Sequence, residues 1–112
     1  MAIAKSNPNS PLDIQVAVAS GRHTLILSGE LDLATAPHLQ LLAMNICAAG
    51  ARELVLDLSK MTFTDSTGVR TILGVQRVCR DHATEFLLTR PQPSVLRIFE
   101  IAGLLDELPF SE

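Results

Sequence analysis

The 112-residue chain has no tryptophan and no tyrosine, and only four phenylalanines. Platforms that stack the bases of single-stranded nucleic acid need aromatic faces, so that class of partner is close to excluded. Nine Lys and Arg against twelve Asp and Glu leave a net charge of −3. The basic residues are scattered, with no patch that would follow a phosphate backbone, so no nucleic acid is expected. The two cysteines, Cys47 and Cys79, fall inside helical patterns. They read as reduced, buried thiols acting as small hydrophobes, because nothing else in the chain suggests secretion. No apolar run approaches the ~20 residues of a membrane span. The opening MAIAKSNPNSP is polar and rich in Pro, Asn and Ser, without the apolar centre of a signal peptide. The expectation is a cytoplasmic protein with no membrane association, whose residues 1–11 are loose. GxxxxGK[ST], GxGxxG and clustered His/Cys spacing are all missing, so no cofactor and no metal are expected.

What is present is a hydrophobic content of 47%, enough for one packed core in about one domain's length, residues 12–112. Leu12, Ile14, Val16 and Val18 alternate with Asp13, Gln15 and Ala17, the period of a half-buried strand. Ser20-Gly21-Arg22 is a turn signal, and Thr24–Ser28 runs back as the second strand of a hairpin. Thr35-Ala36-Pro37 opens a helix, with Thr35 expected to cap it and Pro near its first position. Leu39, Leu42, Ala43, Ile46 and Cys47 form its buried stripe, and Gly50 stops it. Leu54–Leu58 is a short strand. A second helix runs from Asp65-Ser66 to about Asp81, with Val69, Ile72, Leu73, Gln76 and Cys79 inward and Val75 and Val78 widening that face. Glu85–Thr89 is a strand. Pro91 and Pro93 precede a third helix carrying Val95, Ile98, Phe99 and Ala102 on one side, and Leu104–Leu108 makes an amphipathic tail. The order β-β-α-β-α-β-α predicts an α/β fold. It is a small mixed sheet, an N-terminal antiparallel hairpin followed by parallel strands, with helices mainly on one face because right-handed crossovers place both linking helices there.

The stretch Thr62-Phe-Thr-Asp-Ser-Thr-Gly-Val69 stands where a strand ends and a helix begins, the end of an α/β unit at which ligands tend to sit. Thr64, Asp65, Ser66 and Thr67 are each able to cap a helix, yet a helix needs one cap. Plain capping by Asp65 or Ser66, with Gly68 relaxing the first turn, is one reading. Nucleophilic catalysis is another, but Thr64 stands where a hydrolase elbow has Gly, and His23, His38 and His82 do not suggest a triad. One glycine beside a helix start is weak support for a phosphate cradle. A regulatory phosphoacceptor is the remaining reading: a surface hydroxyl at a helix start, where ~−1.5 to −2 of added charge leaves the fold intact and changes what can dock.

Leu27-Ser28-Gly29-Glu30-Leu31-Asp32, Thr35 and Pro37, Leu54–Leu58 and Asp65-Ser66-Thr67-Gly68, with Pro93-Ser94 and Ala102-Gly103-Leu104 further on, resemble the STAS domain family from about residue 12 to residue 110. The likeness is greatest to its short, free-standing members, the anti-sigma-factor antagonists. The resemblance implies a non-enzymatic module that binds an anti-sigma factor, itself an ATP-dependent serine kinase, and so frees a sigma factor. It implies that the kinase phosphorylates the hydroxyl after the motif Asp, here Ser66, that the modified protein lets go, and that a phosphatase restores it. Asp65 becomes the acidic neighbour of the switch, Thr67 a support for kinase contact or loop geometry, Gly68 the small residue that permits close approach, and Asp32 a partner contact. The chain departs from the family in three places. Thr64 replaces a common apolar residue, and His82-Ala83-Thr84 replaces turn glycines. Arg70 replaces a common glycine, putting a long cation where it can pair with a phosphate on Ser66 or alter partner choice. Two other functions remain open: a subunit of a lipid or anion transport complex, and a small hydrolase using Ser66.

Overall fold

The computed structural model describes residues 2–5 and 11–111. The elements along the chain are β1 (Ala2–Lys5), β2 (Leu12–Ala19), β3 (Arg22–Leu31), α1 (Ala36–Ala48), β4 (Glu53–Thr64), α2 (Ser66–Asp81), β5 (Glu85–Thr89) and α3 (Pro93–Ile101). They build one mixed sheet in the order β1-β2-β3-β4-β5. β1/β2 and β2/β3 are antiparallel, and β3/β4 and β4/β5 are parallel, as the expected hairpin-then-parallel topology requires. β1 stands where loose chain was expected, with Ala2 opposite Val18 and Lys5 opposite Gln15. Four residues ahead of a Pro/Asn/Ser run are too few to show a strand period. Residues 6–10 of that expected loose stretch lie outside the described residues.

The β2–β3 turn follows from its sequence. Ser20 and Gly21 have φ of 51° and 82°, the left-handed pair of a two-residue hairpin turn. At the other end of the same strands Gly29 has φ 108°, and a Cβ there would lie 2.1 Å from the Pro11 carbonyl oxygen. That oxygen accepts from Glu30 N at 3.0 Å, so the approach of the chain to the hairpin depends on glycine.

Alternation decides which face of the sheet is covered. Leu25 and Leu27 on β3, Leu54, Leu56 and Leu58 on β4, and Leu88 on β5 are all 0% exposed. Ile26, Val55, Asp57 and Leu87, which point the opposite way, are only half-buried. α1 and α2, the crossovers of the two parallel pairs, pack side by side, and Cys47 Sγ lies 3.6 Å from Cys79 Sγ between them. Both thiols are buried and free, as expected. α1 buries Leu39, Ala43 and Cys47, and α2 buries Val69, Ile72, Val75 and Cys79. Leu42, Ile46, Leu73 and Val78 pack at the margin of this core. Val95 and Phe99 are the buried residues of α3. Ala102, expected on that face, is exposed just past the helix end. The tail returns to the sheet: Ser111 N donates to Leu88 O at 2.7 Å, and the Phe110 ring meets Phe99 edge-on at 5.6 Å.

β4 is more than twice the length expected from Leu54–Leu58. Its pairing with β3 slips between Ile26 and Ser28 and again between Gly29 and Glu30. The two irregularities put both Ser59 and Lys60 outward, then Met61 inward, then both Thr62 and Phe63 outward, then Thr64 inward. Bulges of this kind twist a strand and re-aim its end. Here they bring Thr64 opposite Leu31, which sets up the site.

Candidate functional site

The carboxyl ends of β3 and β4 and the first turns of α1 and α2 meet at one end of the sheet. The residues singled out in the sequence divide the work of building that corner. Thr64, 3% exposed, donates its hydroxyl to Leu31 O at 2.9 Å and so joins the ends of the two strands. Asp65 is the cap of α2, accepting from Gly68 N at 2.9 Å through Oδ1. Gly68 is buried with no room for a side chain. A Cβ there would lie 2.1 Å from Thr64 Oγ1 and 2.5 Å from Leu31 O. The α2 backbone thus rests directly on the Thr64–Leu31 link. Thr67 is half-buried and its carbonyl accepts from Thr71 Oγ1 at 2.8 Å. Ser66, the first residue of α2, is exposed, and its hydroxyl takes part in no hydrogen bond among the described residues. Arg70, one turn further along α2, is also exposed.

Asp32 opens the neighbouring β3–α1 loop. Its Oδ1 accepts from Ala34 N at 3.0 Å and Thr35 N at 3.2 Å, an Asx-type turn that fixes the loop locally. Thr35 holds the cap position of α1 but caps nothing. Its hydroxyl donates to Glu30 O at 2.9 Å and accepts from Asp32 N at 3.0 Å. The expected side-chain cap at Thr35 is therefore not formed, and Asp32 instead bonds the N–H groups of the loop just ahead of the helix. Since Leu31 pairs with Thr64, the structure brings Asp32 and the Asp65–Gly68 stretch to one corner, with Arg70 beside them.

Residue types alone did not point to the apolar rim of this corner. Leu33 is 74% exposed, Ile101 73% and Phe63 48%. A groove of about 380 Å³ between α2 and α3 is lined by Ser66, Val69, Arg70, Leu73, Ile98 and Ile101, with Ala102 and Leu104. Leu33 lies in a polar loop where packing does not call for leucine, a signal present in the sequence. Phe63 carried no such signal, because only the β4 bulges turn it outward. The larger cleft, about 570 Å³ beside the β2–β3 turn, is lined by Arg22, Arg52, Glu53 and Glu85 among others. There Arg22 Nε pairs with Glu53 Oε1 at 2.5 Å and Arg52 bonds Ser20 O at 3.3 Å, so its charges serve the turn.

Two of the three histidines stand away from Ser66. His23 stands at the opposite end of β3, beside Leu54. His82 bonds Val78 O at the far end of the 16-residue α2, about 24 Å of helix from Ser66. His38, in the first turn of α1, makes no side-chain hydrogen bond among the described residues. No three His, Cys, Asp or Glu side chains converge as metal ligands among the described residues. Nor is any helix long and apolar enough to cross a membrane, again among the described residues.

Comparison with known proteins agrees with the fold. The family model for the STAS domain matches residues 13–112. The chain belongs to the STAS domain family. An anti-sigma-B factor antagonist of Staphylococcus aureus is 26% identical over 101 residues, covering 90% of this chain and 94% of that protein. The crystal structure of an anti-sigma factor antagonist from Mycobacterium paratuberculosis is 28% identical, covers 94% of this chain and 88% of its own, and superposes with a TM-score of 0.79. The anti-sigma factor antagonist SpoIIAA in its unphosphorylated form shares the fold at 24% identity, with 88% of each chain covered and a TM-score of 0.75. SpoIIAA of Bacillus in its phosphorylated form superposes at 0.68, with 88% of this STAS chain and 91% of SpoIIAA covered.

Proposed function

We propose that this chain is an anti-sigma factor antagonist switched by phosphorylation at Ser66. The observation that carries the reading is exposure: of the three hydroxyls in Thr64–Thr67, Thr64 is buried, Thr67 is half-buried and Ser66 alone is exposed. Thr64 is consumed in joining two strand ends and Asp65 in capping α2. Ser66 is left exposed on a rigid helix start. The SpoIIAA relative, known in phosphorylated and unphosphorylated forms, supports a modification of this kind. In the unmodified state Ser66, the Asp32 loop and the apolar rim dock on the anti-sigma factor and displace it from its sigma factor. The anti-sigma factor, a serine kinase, then transfers the γ-phosphoryl group of ATP to Ser66 Oγ. The Oγ–P bond forms as the bond to the ADP oxygen breaks, and the hydroxyl proton passes to a base on the kinase. The nucleotide site and Mg²⁺ ligands belong to that partner, so this chain is a substrate and not an enzyme. Asp65 and Gly68 hold the acceptor still, Thr67 supports the turn beneath it, and Asp32 fixes the loop that presents Leu33. A phosphate brings ~−1.5 to −2 charge next to Asp65 and Asp32, into a surface suited to a neutral hydroxyl and apolar contacts. A phosphatase completes the cycle.

Calorimetric titration of the host's anti-sigma factor with the full chain tests this, using serine or genetically encoded phosphoserine at position 66. The expected loss on modification is at least tenfold in affinity, about 1.4 kcal/mol. Equal affinity of the two forms contradicts the switch.

A further inference from the structure

We infer that Arg70 is an intramolecular clamp for the phosphate on Ser66, holding it against the α2–α3 groove. This deepens the proposed function and rests on Ser66 being the modified hydroxyl. Ser66 and Arg70 are four apart in α2, so they are neighbours on one face of the helix. Side chains on a helix lean toward its N-terminus, which sends the Arg70 guanidinium back over the turn that carries Ser66. An acid at the first position with a base four residues later is the favoured orientation for such a pair. A guanidinium fork matches two phosphate oxygens in a way that a lysine does not.

Nothing competes for that fork. Arg70 takes part in no ion pair among the described residues. The Asp65 carboxylate is occupied with Gly68 N, and Asp32 Oδ1 with its own loop. Every other residue lining the groove, from α2, α3 and the tail, is uncharged. The guanidinium is thus exposed beside an apolar groove with no charged partner in the unmodified protein among the described residues. With a phosphate on Ser66 it gains one, because both residues line that groove. The clamped phosphate covers Val69, Leu73 and Ile101 with a hydrated ion pair. Modification therefore removes the apolar docking surface as well as adding charge. The same geometry predicts that Ser66→Asp is a weak mimic, since its single short carboxylate cannot take the fork from the phosphate's distance.

The test is ³¹P NMR titration of the full chain carrying encoded phosphoserine at position 66, alone and beside Arg70→Gln, Arg70→Lys or Arg77→Gln. Because the phosphoserine is installed during synthesis, the result stands whether or not a kinase ever acts on the chain. An opposite charge held at contact lowers the second phosphate pKa, ordinarily ~6. Arg70→Gln is expected to raise it by about half a unit relative to the unsubstituted phosphoprotein, a modest figure suited to an exposed pair. Arg70→Lys is expected to recover only part of the shift, and Arg77→Gln, two turns beyond, to leave it unchanged. Titration of the Arg70→Gln protein at the same pH as its parent overturns the clamp. An equal shift on Arg77→Gln also overturns it, by reducing the effect to the general field of the helix.

Discussion

Alanine in place of Gly68 should unseat the end of α2, whereas the same exchange at Gly74 in the same helix should stabilise the protein. An alanine Cβ at 68 would stand 2.1 Å from Thr64 Oγ1, 2.5 Å from Leu31 O and 3.2 Å from Leu31 Cγ. The Thr64 hydroxyl must leave Leu31 O, to which it donates at 2.9 Å in a buried setting, or α2 must lift. Leaving that donor or acceptor unsatisfied costs about 1–3 kcal/mol, and forcing an extra carbon into packed surroundings costs about 1–3 kcal/mol. Alanine returns about 1 kcal/mol of helix propensity. The balance is a loss of about 1–5 kcal/mol, a large part of the ~5–15 kcal/mol of a typical domain. Nothing lies within 4 Å of a Cβ at Gly74, so there only the propensity remains, a gain of up to about 1 kcal/mol. Urea unfolding of both variants reads the difference. A cycle with Thr64→Ala sharpens it: removing Oγ1 relieves the nearest clash but not the one with Leu31 O, so Gly68→Ala should cost about 1 kcal/mol less in that background. A Gly68→Ala protein as stable as Gly74→Ala would refute the close-contact account of the corner.

Three further outcomes follow from other parts of the molecule. Burial, then the thiol contact and charge of Cys47, push Cys79 up to about 12. Its contribution to stability is complete below the ordinary thiol pKa of ~8.5 and is lost as pH rises toward the folded value. Neither cysteine should react with Ellman's reagent at pH 8 until the chain is unfolded, and the melting temperature should fall above about pH 9. Burial alone would raise the Asp57 carboxyl, but hydrogen bonds from the side chain and backbone of Ser59 and from Thr89, with the charge of Lys60, outweigh it and hold it below the usual carboxylate value. Its stabilisation is present above ~pH 4 and fades as pH falls through the folded value. Asp57→Asn should therefore be less stable at pH 7, with the gap to the parent narrowing as pH falls below the ordinary carboxylate value in chemical unfolding. Ala83 has φ 55°, a left-handed conformation that strains any residue with a Cβ by about 1–2 kcal/mol. Ala83→Gly should raise stability by about 0.5–1 kcal/mol, net of the extra chain entropy of glycine.

How far the fold could be read depended on local period. β2 alternates, the first half of β4 is a short run of branched apolar residues, and α2 repeats its apolar residues at helical spacing, so all three are legible. β5 is a short apolar run with the prolines at 91 and 93 as its only punctuation. The second half of β4 did not stand out, because two bulges set by pairing with β3 break the alternation, and pairing is a long-range property. The strand at Ala2–Lys5 was missed for a similar reason, since only its partner β2 organises it. At the site, the clustering of Thr64, Asp65, Ser66 and Thr67 was visible, but the division of labour among them was not. Thr64 had no explanation until Leu31 was found beside it. Thr35 seemed the cap of α1 by residue type, yet Glu30 O claims its hydroxyl. Ile98 and Leu73 pack against the core as their spacing predicts, and both also line the groove between α2 and α3, which their spacing does not reveal. Which of two packed helices covers a given residue is fixed by their relative placement, not by either sequence alone.

The measurement that bears most directly on the central claim is phosphosite mapping, with intact mass, of the chain purified from its own host without overexpression. The account predicts a fraction of molecules carrying one phosphoryl group, placed on Ser66. A phosphate on Thr67 instead, or unmodified protein under every growth condition, would contradict it.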